Sequence, residues 1–200
     1  LDPEEDMVPS NTAALIIQGS MVSSNYYDRL VDTYSELRYM TYLQRRFAWN
    51  DDTLRSIAWK SFKNEIANID RTVVITKLTN RILAVNYIQK RRKHRVSAKC
   101  KHCNKIETVS HLYHCNIESR IQWRLSYITT LRKKMKEIKT DESLIDAMAT
   151  ILTEYLDSGQ VSKEKYHQRF QEAIDSQNTI GFEHFFLGKI SQKWLDLHLP

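Results

Sequence analysis

The sequence predicts a mainly α protein: a helical bundle-like domain into which a small Cys/His-rich finger is inserted. Three observations carry that reading. The composition is that of a helical domain, with 42% hydrophobic and 27% charged residues but only four glycines and three prolines in 200 residues. Apolar residues recur at three- and four-residue spacing along most of the chain. All three cysteines fall within the stretch Cys100 to Cys115, which marks one local element.

The elements follow in order. Residues 1–12 are polar, contain Pro3 and Pro9, and read as a disordered lead-in. Thr12–Gln18 reads as a short strand ending at Gly19. Ser23, Ser24 and Asn25 offer cap chemistry for a helix over 25–46, with Leu30, Tyr34, Leu37 and Tyr42 near one face. Asn50, Asp51 and Asp52 cap a second helix, in which Leu54, Ile57, Trp59, Phe62, Ile66 and Ile69 recur. Over 71–89, Val73–Ile75 favours a strand locally. The stripe Val74, Leu78, Ile82, Val85 and Tyr87/Ile88 fits a helix better, and on it Lys77 and Arg81 are neighbours on one flank.

A long helix is expected from 116 to 139, with Ile117, Ile121, Leu125, Ile128, Leu131, Met135 and Ile138 inward. Arg120, Arg124 and the group Arg132, Lys133, Lys134, Lys136 and Lys139 fall on its exposed sides. Asp141 caps a strongly periodic helix that stops before Gly159. Helices over 162–177 and 180–198 complete the chain. The last carries Phe182, Phe185, Phe186, Ile190, Trp194 and Leu197, most simply an intramolecular core face. The organisation is therefore a lead-in over 1–12, a helical region over 13–96, a finger over 97–116 and a second helical region over 117–198.

Charge is unevenly spread. The net of +6 hides a mildly acidic first third, −4 over residues 1–70, and a tail of −5 over 141–200. Between them, residues 71–140 carry +15. Such segregation points to a polyanionic partner. The densest run is Lys90-Arg91-Arg92-Lys93-His94-Arg95. A solvated loop and a nuclear-localisation address are readings of that run, but phosphate contact is preferred because it leads straight into the cysteines.

The cysteine cluster reads C-x2-C-x7-H-x3-C. Cys100 and Cys103 can clasp one metal ion from a tight turn, and His111 and Cys115, at i and i+4, can close the tetrahedron. Three thiolates and one imidazole suit Zn²⁺, and four protein ligands leave no open position, so the site is structural rather than catalytic. An odd cysteine count without secretory context argues against a disulfide. His102 and His114 each adjoin a cysteine, where chelating the same ion is awkward. His114 is expected at the surface or facing phosphate, and Glu107 is expected to fix local backbone or a neighbouring cation.

With Glu107-Thr108 preceding His111-Leu112, the stretch resembles the C-x2-C…E-T-x-x-H-L-x-x-C finger known as the zinc-binding region associated with reverse transcriptase. That finger follows the polymerase in many non-LTR retrotransposons. Thr76-Lys77-Leu78 through Arg91-Arg92 resembles the segment upstream of it. Ile180-Gly181-Phe182, with Gly188 through Trp194, resembles a tail in related retroelement-like proteins of protists. The resemblance implies a reverse-transcriptase core elsewhere in a parent chain. That core is absent here, so polymerase activity does not carry over.

No glycine-rich phosphate loop, G-x-S-x-G elbow or H-E-x-x-H helix occurs. Asp51 and Asp52 are explained by a helix N-terminus. The expectation is a non-enzymatic module with Zn²⁺ as cofactor and RNA or DNA as partner. Candidate nucleic-acid contacts are Lys77, Arg81, Lys90, Arg91, Arg92, Lys93, Arg95, Lys99, Lys101, Lys105, Tyr113, Arg120 and Arg124, and Trp123 is a further stacking candidate. The competing readings are a protein-interaction module with a purely architectural zinc, and a fragment of an enzyme whose active site lies elsewhere. No run approaches the roughly 18 apolar residues of a membrane span, and the acidic start is unlike a secretory signal. A nuclear or cytoplasmic location is expected, and Leu1 in place of Met suggests a piece of a longer chain.

Overall fold

A computed structural model describes residues 15–17, 19–22, 24–67, 76–77 and 80–198. The lead-in over 1–12 and the stripe positions Val74 and Leu78 lie outside the described residues. Among those described, ten helices and one two-stranded sheet make the protein mainly α, as the composition and periodicity predict. The chain forms two compact units, residues 1–50 and 51–200. The finger thus belongs to the second unit together with residues 51–96, where the sequence reading places a boundary at 96/97.

In the first unit, β1 (Leu15–Ile17) pairs antiparallel with β2 (Ser20–Val22), Leu15 opposite Val22 and Ile17 opposite Ser20. Gly19 turns the hairpin at φ +77. Helix α1 (Tyr26–Phe47) begins after Asn25, whose side chain makes no cap bond. The set expected near one face, Leu30, Tyr34, Leu37 and Tyr42, is exposed, and Leu43 is the buried residue of the helix.

The second unit opens with α2 (Asp51–Arg55) and α3 (Trp59–Ala67), where the sequence reading has one helix. The break has a partner. Ile57 bridges Ser191, with Ala58 N–H donating to Ile190 O at 2.9 Å and Gln192 N–H to Ser56 O at 2.7 Å. Long-range pairing wins over helical continuity because both segments thereby satisfy backbone groups they would otherwise bury. Helix α4 (Asn86–Arg91) leads to the finger, whose helix is α5 (Val109–His114).

Helices α6 (Glu118–Glu137) and α7 (Glu142–Ser158) form the main packed pair. Asp141 accepts from Leu144 N–H at 3.0 Å, and Gly159, at φ +78, ends α7 in the left-handed conformation. Leu144, Met148, Ile151, Leu152 and Tyr155 of α7 form the core with Phe170, Ala173 and Ile174 of α8 (Gln168–Ile180). Tyr127, Ile128, Leu131 and Met135 of α6 pack against it. Leu125 and Ile138, expected inward, face solvent.

The expected final helix is two, α9 (Phe182–Phe185) and α10 (Gln192–Asp196). Between them Gly188 adopts φ +79, and a Cβ there would lie 3.2 Å from the Phe62 ring, so the turn needs glycine. Phe182, Phe185 and Trp194 join the core, as their apolar face predicts. Gln177 is fully buried and staples this irregular stretch. Its Nε2 donates to Gly181 O and Lys189 O, and its Oε1 accepts from Ser191 N–H at 2.9 Å.

Lys189 is also fully buried, its Nζ 5.4 Å from the Phe62 ring centroid. Burial, with repulsion from Arg81, pushes its ammonium down to about 7. An unfolded chain holds that proton up to about pH 10.4. Unfolding therefore takes up a proton between the two values, and stability rises with pH across that window. Chemical denaturation of wild type between pH 7 and 9.5 should show this rise. Lys189→Met should lack it, and equal slopes in the two proteins would exclude the titration.

Candidate metal centre and its basic surround

The finger begins with a bridge between Lys99 and Ile106 that brings the ends of the first turn together. Cys100 N–H donates to Lys105 O at 2.7 Å, and Asn104 N–H to Cys100 O at 3.1 Å. Asn104 sits at φ +62, which asparagine tolerates better than most residues. This turn presents Cys100 and Cys103 on one side. Thr108 then caps α5 by accepting from His111 N–H at 3.1 Å, and α5 carries His111 towards the same point. Cys115 follows immediately at its C-terminal end.

The ligand atoms of Cys100, Cys103, His111 and Cys115 all lie within 4.8 Å of one another. Cys100 Sγ is 4.0 Å from Cys115 Sγ, Cys115 Sγ is 3.9 Å from Cys103 Sγ, and Cys103 Sγ is 3.3 Å from His111 Nε2. A tetrahedral centre with metal–sulfur bonds of about 2.3 Å and metal–nitrogen bonds of about 2.0 Å has edges of about 3.5–3.8 Å. The donor set fits a metal ion in both chemistry and spacing, and all three cysteines are free thiols. Backbone N–H groups of His102 and, after the opposing effect of burial, Cys103 pull the Cys100 thiol down to about 6. Burial pushes the Cys115 thiol up, opposed by the Ile117 N–H.

Two polar clamps seat this cluster. Glu107 accepts from Asn86 N–H at 3.0 Å and from Asn86 Nδ2 at 3.2 Å, while the same Nδ2 donates to Lys99 O at 2.8 Å. The expected role of Glu107 in fixing backbone is thus filled by a specific partner at the start of α4. On the other side, Arg124 Nη1 donates to Tyr113 O at 2.9 Å and Cys115 O at 3.1 Å. These carbonyls end α5 and have no helical donor of their own. Sequence reasoning passes over Asn86, because its partners lie 13 and 21 residues away and leave no local signal.

The structure separates the candidate contacts. Lys90, Arg91, Arg92, Lys93 and Arg95 are exposed on the last turn of α4 and its exit, as are Lys99, Lys101 and Lys105 on the finger. Lys77 is exposed and Arg120 half-buried. Three assignments need correction. Arg124 is buried under the finger, where its Nη1 donates to two backbone carbonyls. Tyr113 is buried and stacked on Phe186, with ring centroids 5.1 Å apart, so it offers no face to a base. Arg81 pairs with Glu183 and sits at φ +54, where Ile82 N–H donates back to Lys77 O. Arg81 therefore lies in a left-handed turn and not on a helix flank.

His114 is half-buried, its Nδ1 donating to Leu156 O at 3.0 Å, and therefore does not face phosphate. Trp123 is partly exposed and lies 6.1 Å, centroid to centroid, from Tyr113. On the α6 flank, Arg132 and Lys136 pair with Asp146 and Glu142. A cleft of about 530 Å³ opens beside the first turn of the finger. Arg95, Lys99, Lys101 and His102 line it together with Ser97 and Asn104, and no carboxylate does.

Chelator treatment tests whether the cluster holds an ion. Chelation should lower the melting temperature by about 10–20 °C, the equivalent of roughly 5 kcal/mol in a chain of this size. Cys103→Ser should reproduce the loss and be indifferent to chelator, while His102→Ala should behave as wild type. A wild-type protein that ignores chelator would exclude a structural ion. Arg124→Met should cost about 2–3 kcal/mol in chemical denaturation, since two buried carbonyls lose a charged donor. The exposed Lys133→Met should change stability by no more than about 0.5 kcal/mol.

No family model, no curated protein and no solved structure matches the chain.

Proposed function

We propose that this chain is a zinc-stabilised nucleic-acid-binding module of the reverse-transcriptase-associated kind. Three sulfurs and one imidazole nitrogen in a closed set of four favour Zn²⁺ in a structural role. The ion supplies folding free energy to a polar segment that buries little of its own. The polymerase itself belongs to another part of a longer chain or element, and this module holds its RNA or target DNA.

The observation that carries the reading is the placement of cations around the cluster. Lys90 through Lys93, Arg95, Lys99, Lys101 and Lys105 stay exposed, and the cleft lined by Arg95, Lys99 and Lys101 has no carboxylate in its lining. The single acid within the finger, Glu107, is engaged by Asn86. Phosphates approaching this cleft meet Arg95, Lys99 and Lys101 without an opposing carboxylate in the lining. Binding then proceeds mainly through release of condensed counterions and weakens steeply with salt.

Fluorescence anisotropy with single-stranded RNA and with duplex DNA, each titrated across salt concentration, tests the reading. The logarithm of affinity should fall linearly with the logarithm of salt for at least one of them. Replacing Lys99 and Lys101 by alanine should reduce that slope by about 1.5–2 without loss of the bound metal. Absence of binding, or an affinity indifferent to salt, would overturn the proposal and favour a protein-interaction module built on an architectural ion.

A further inference from the structure

Between the end of α4 and the start of the finger, residues 92–98 form neither helix nor strand, and every residue from Arg91 to Ser97 is exposed. Val96, in the middle, is 95% exposed. The ends of this loop are held. Arg95 Nε donates to Gln89 Oε1 at 2.9 Å, and Glu107 N–H donates to Ala98 O at 2.9 Å. Ser97 stands on the loop with its Oγ accepting from Lys99 N–H at 3.1 Å, and it lines the basic cleft beside the finger.

The charges around Ser97 are of one sign on both sides. Lys93 and Arg95 stand four and two positions before it, Lys99 and Lys101 two and four positions after it, and no carboxylate occurs from Lys90 to Ile106. Protein kinases with acidic substrate grooves select a hydroxyl by this charge pattern and need a segment that can be drawn out into their active site. The fold supplies the second condition here and withholds it elsewhere. Among the described residues, Thr53, Ser61, Thr130 and Ser191 also stand two positions before a Lys or Arg. Thr53 and Ser191 are buried, while Ser61 and Thr130 lie within α3 and α6.

We propose that Ser97 is a phosphorylation site for a basophilic serine kinase, and that its phosphate neutralises the cleft. The kinase transfers the terminal phosphoryl group of magnesium-bound ATP. The bond from the γ-phosphorus to the ADP oxygen breaks, Ser97 Oγ takes the phosphorus, and the hydroxyl proton leaves to the kinase's base. The product carries a charge of about −1.5 to −2 among Arg95, Lys99 and Lys101, where charge-assisted hydrogen bonds hold it. Those cations are the ones a nucleic-acid phosphate would meet. The effect on binding rests on the nucleic-acid reading; the modification itself does not.

The full chain, incubated with the catalytic fragment of protein kinase C and magnesium ATP, tests both parts. Mass spectrometry should find close to one phosphate per chain, mapped to Ser97, and Ser97→Ala should be modified at least about tenfold more slowly. No incorporation, or modification of Ser61 or Thr130 ahead of Ser97, would overturn the site. In anisotropy at low salt, the phosphorylated chain should bind the RNA or DNA at least about tenfold more weakly, with a shallower salt dependence. Ser97→Ala taken through the same kinase treatment should bind equally before and after it. A phosphorylated chain that binds as tightly as the unmodified one would overturn neutralisation of the cleft. If the unmodified chain binds no nucleic acid, the nucleic-acid reading and the binding effect fall together, and the mapped phosphate still decides the site.

Discussion

Closure of the Cys100–Cys115 segment onto one point is the constraint on which the functional face depends. The segment contains Lys101, Lys105 and few apolar residues, so burial alone does not hold it. Four potential ligand atoms converge within 4.8 Å, where a metal ion would supply the cross-link that a small core lacks. Short loops lose the least entropy on closure, and the first clasp spans only two residues between cysteines. Everything exposed on the finger is positioned relative to that point.

A closed finger still has to be held against the body of the protein, and here hydrogen bonds to backbone carry the alignment. Asn86 and Glu107 join its first strand-like turn to α4, while Arg124 ties its last turn to α6. Val109 and Tyr113 pack with Val85, Ile88, Leu156 and Leu187 beneath. The buried guanidinium is compensated in part by two carbonyls at the helix end, both met by its Nη1. Gln177 uses the same device farther along the chain, where irregular backbone around Ser191 would otherwise be buried without partners.

This seating explains why the cations divide as they do. Those on the last turn of α4 benefit from the partial negative charge at a helix C-terminus, and they remain available outward. Arg81, Arg124, Arg132 and Lys136 are spent internally on Glu183, on carbonyls, on Asp146 and on Glu142. A charge profile along the sequence counts both groups alike. The set of exposed, unengaged cations is therefore smaller than the +15 of residues 71–140 suggests.

By itself the sequence determined what depends on near neighbours: the mainly α class, the Asp141 cap and Gly159 stop of α7, and the grouping of Cys100, Cys103, His111 and Cys115 as potential ligands. Each rests on residues within a few positions of one another, where spacing and backbone preference leave few alternatives. Helix continuity was less legible. The breaks at 56–58 and 186–191 arise because these segments pair with each other across more than a hundred residues, and Gly188 was readable as a break only beside Phe62. Tertiary structure alone decided that Tyr113 and Arg124 face inward and that the Tyr27–Leu37 stripe faces outward. Helical periodicity defines a stripe but not its side, because which face is buried depends on what packs against it, and those partners lie far away in the chain.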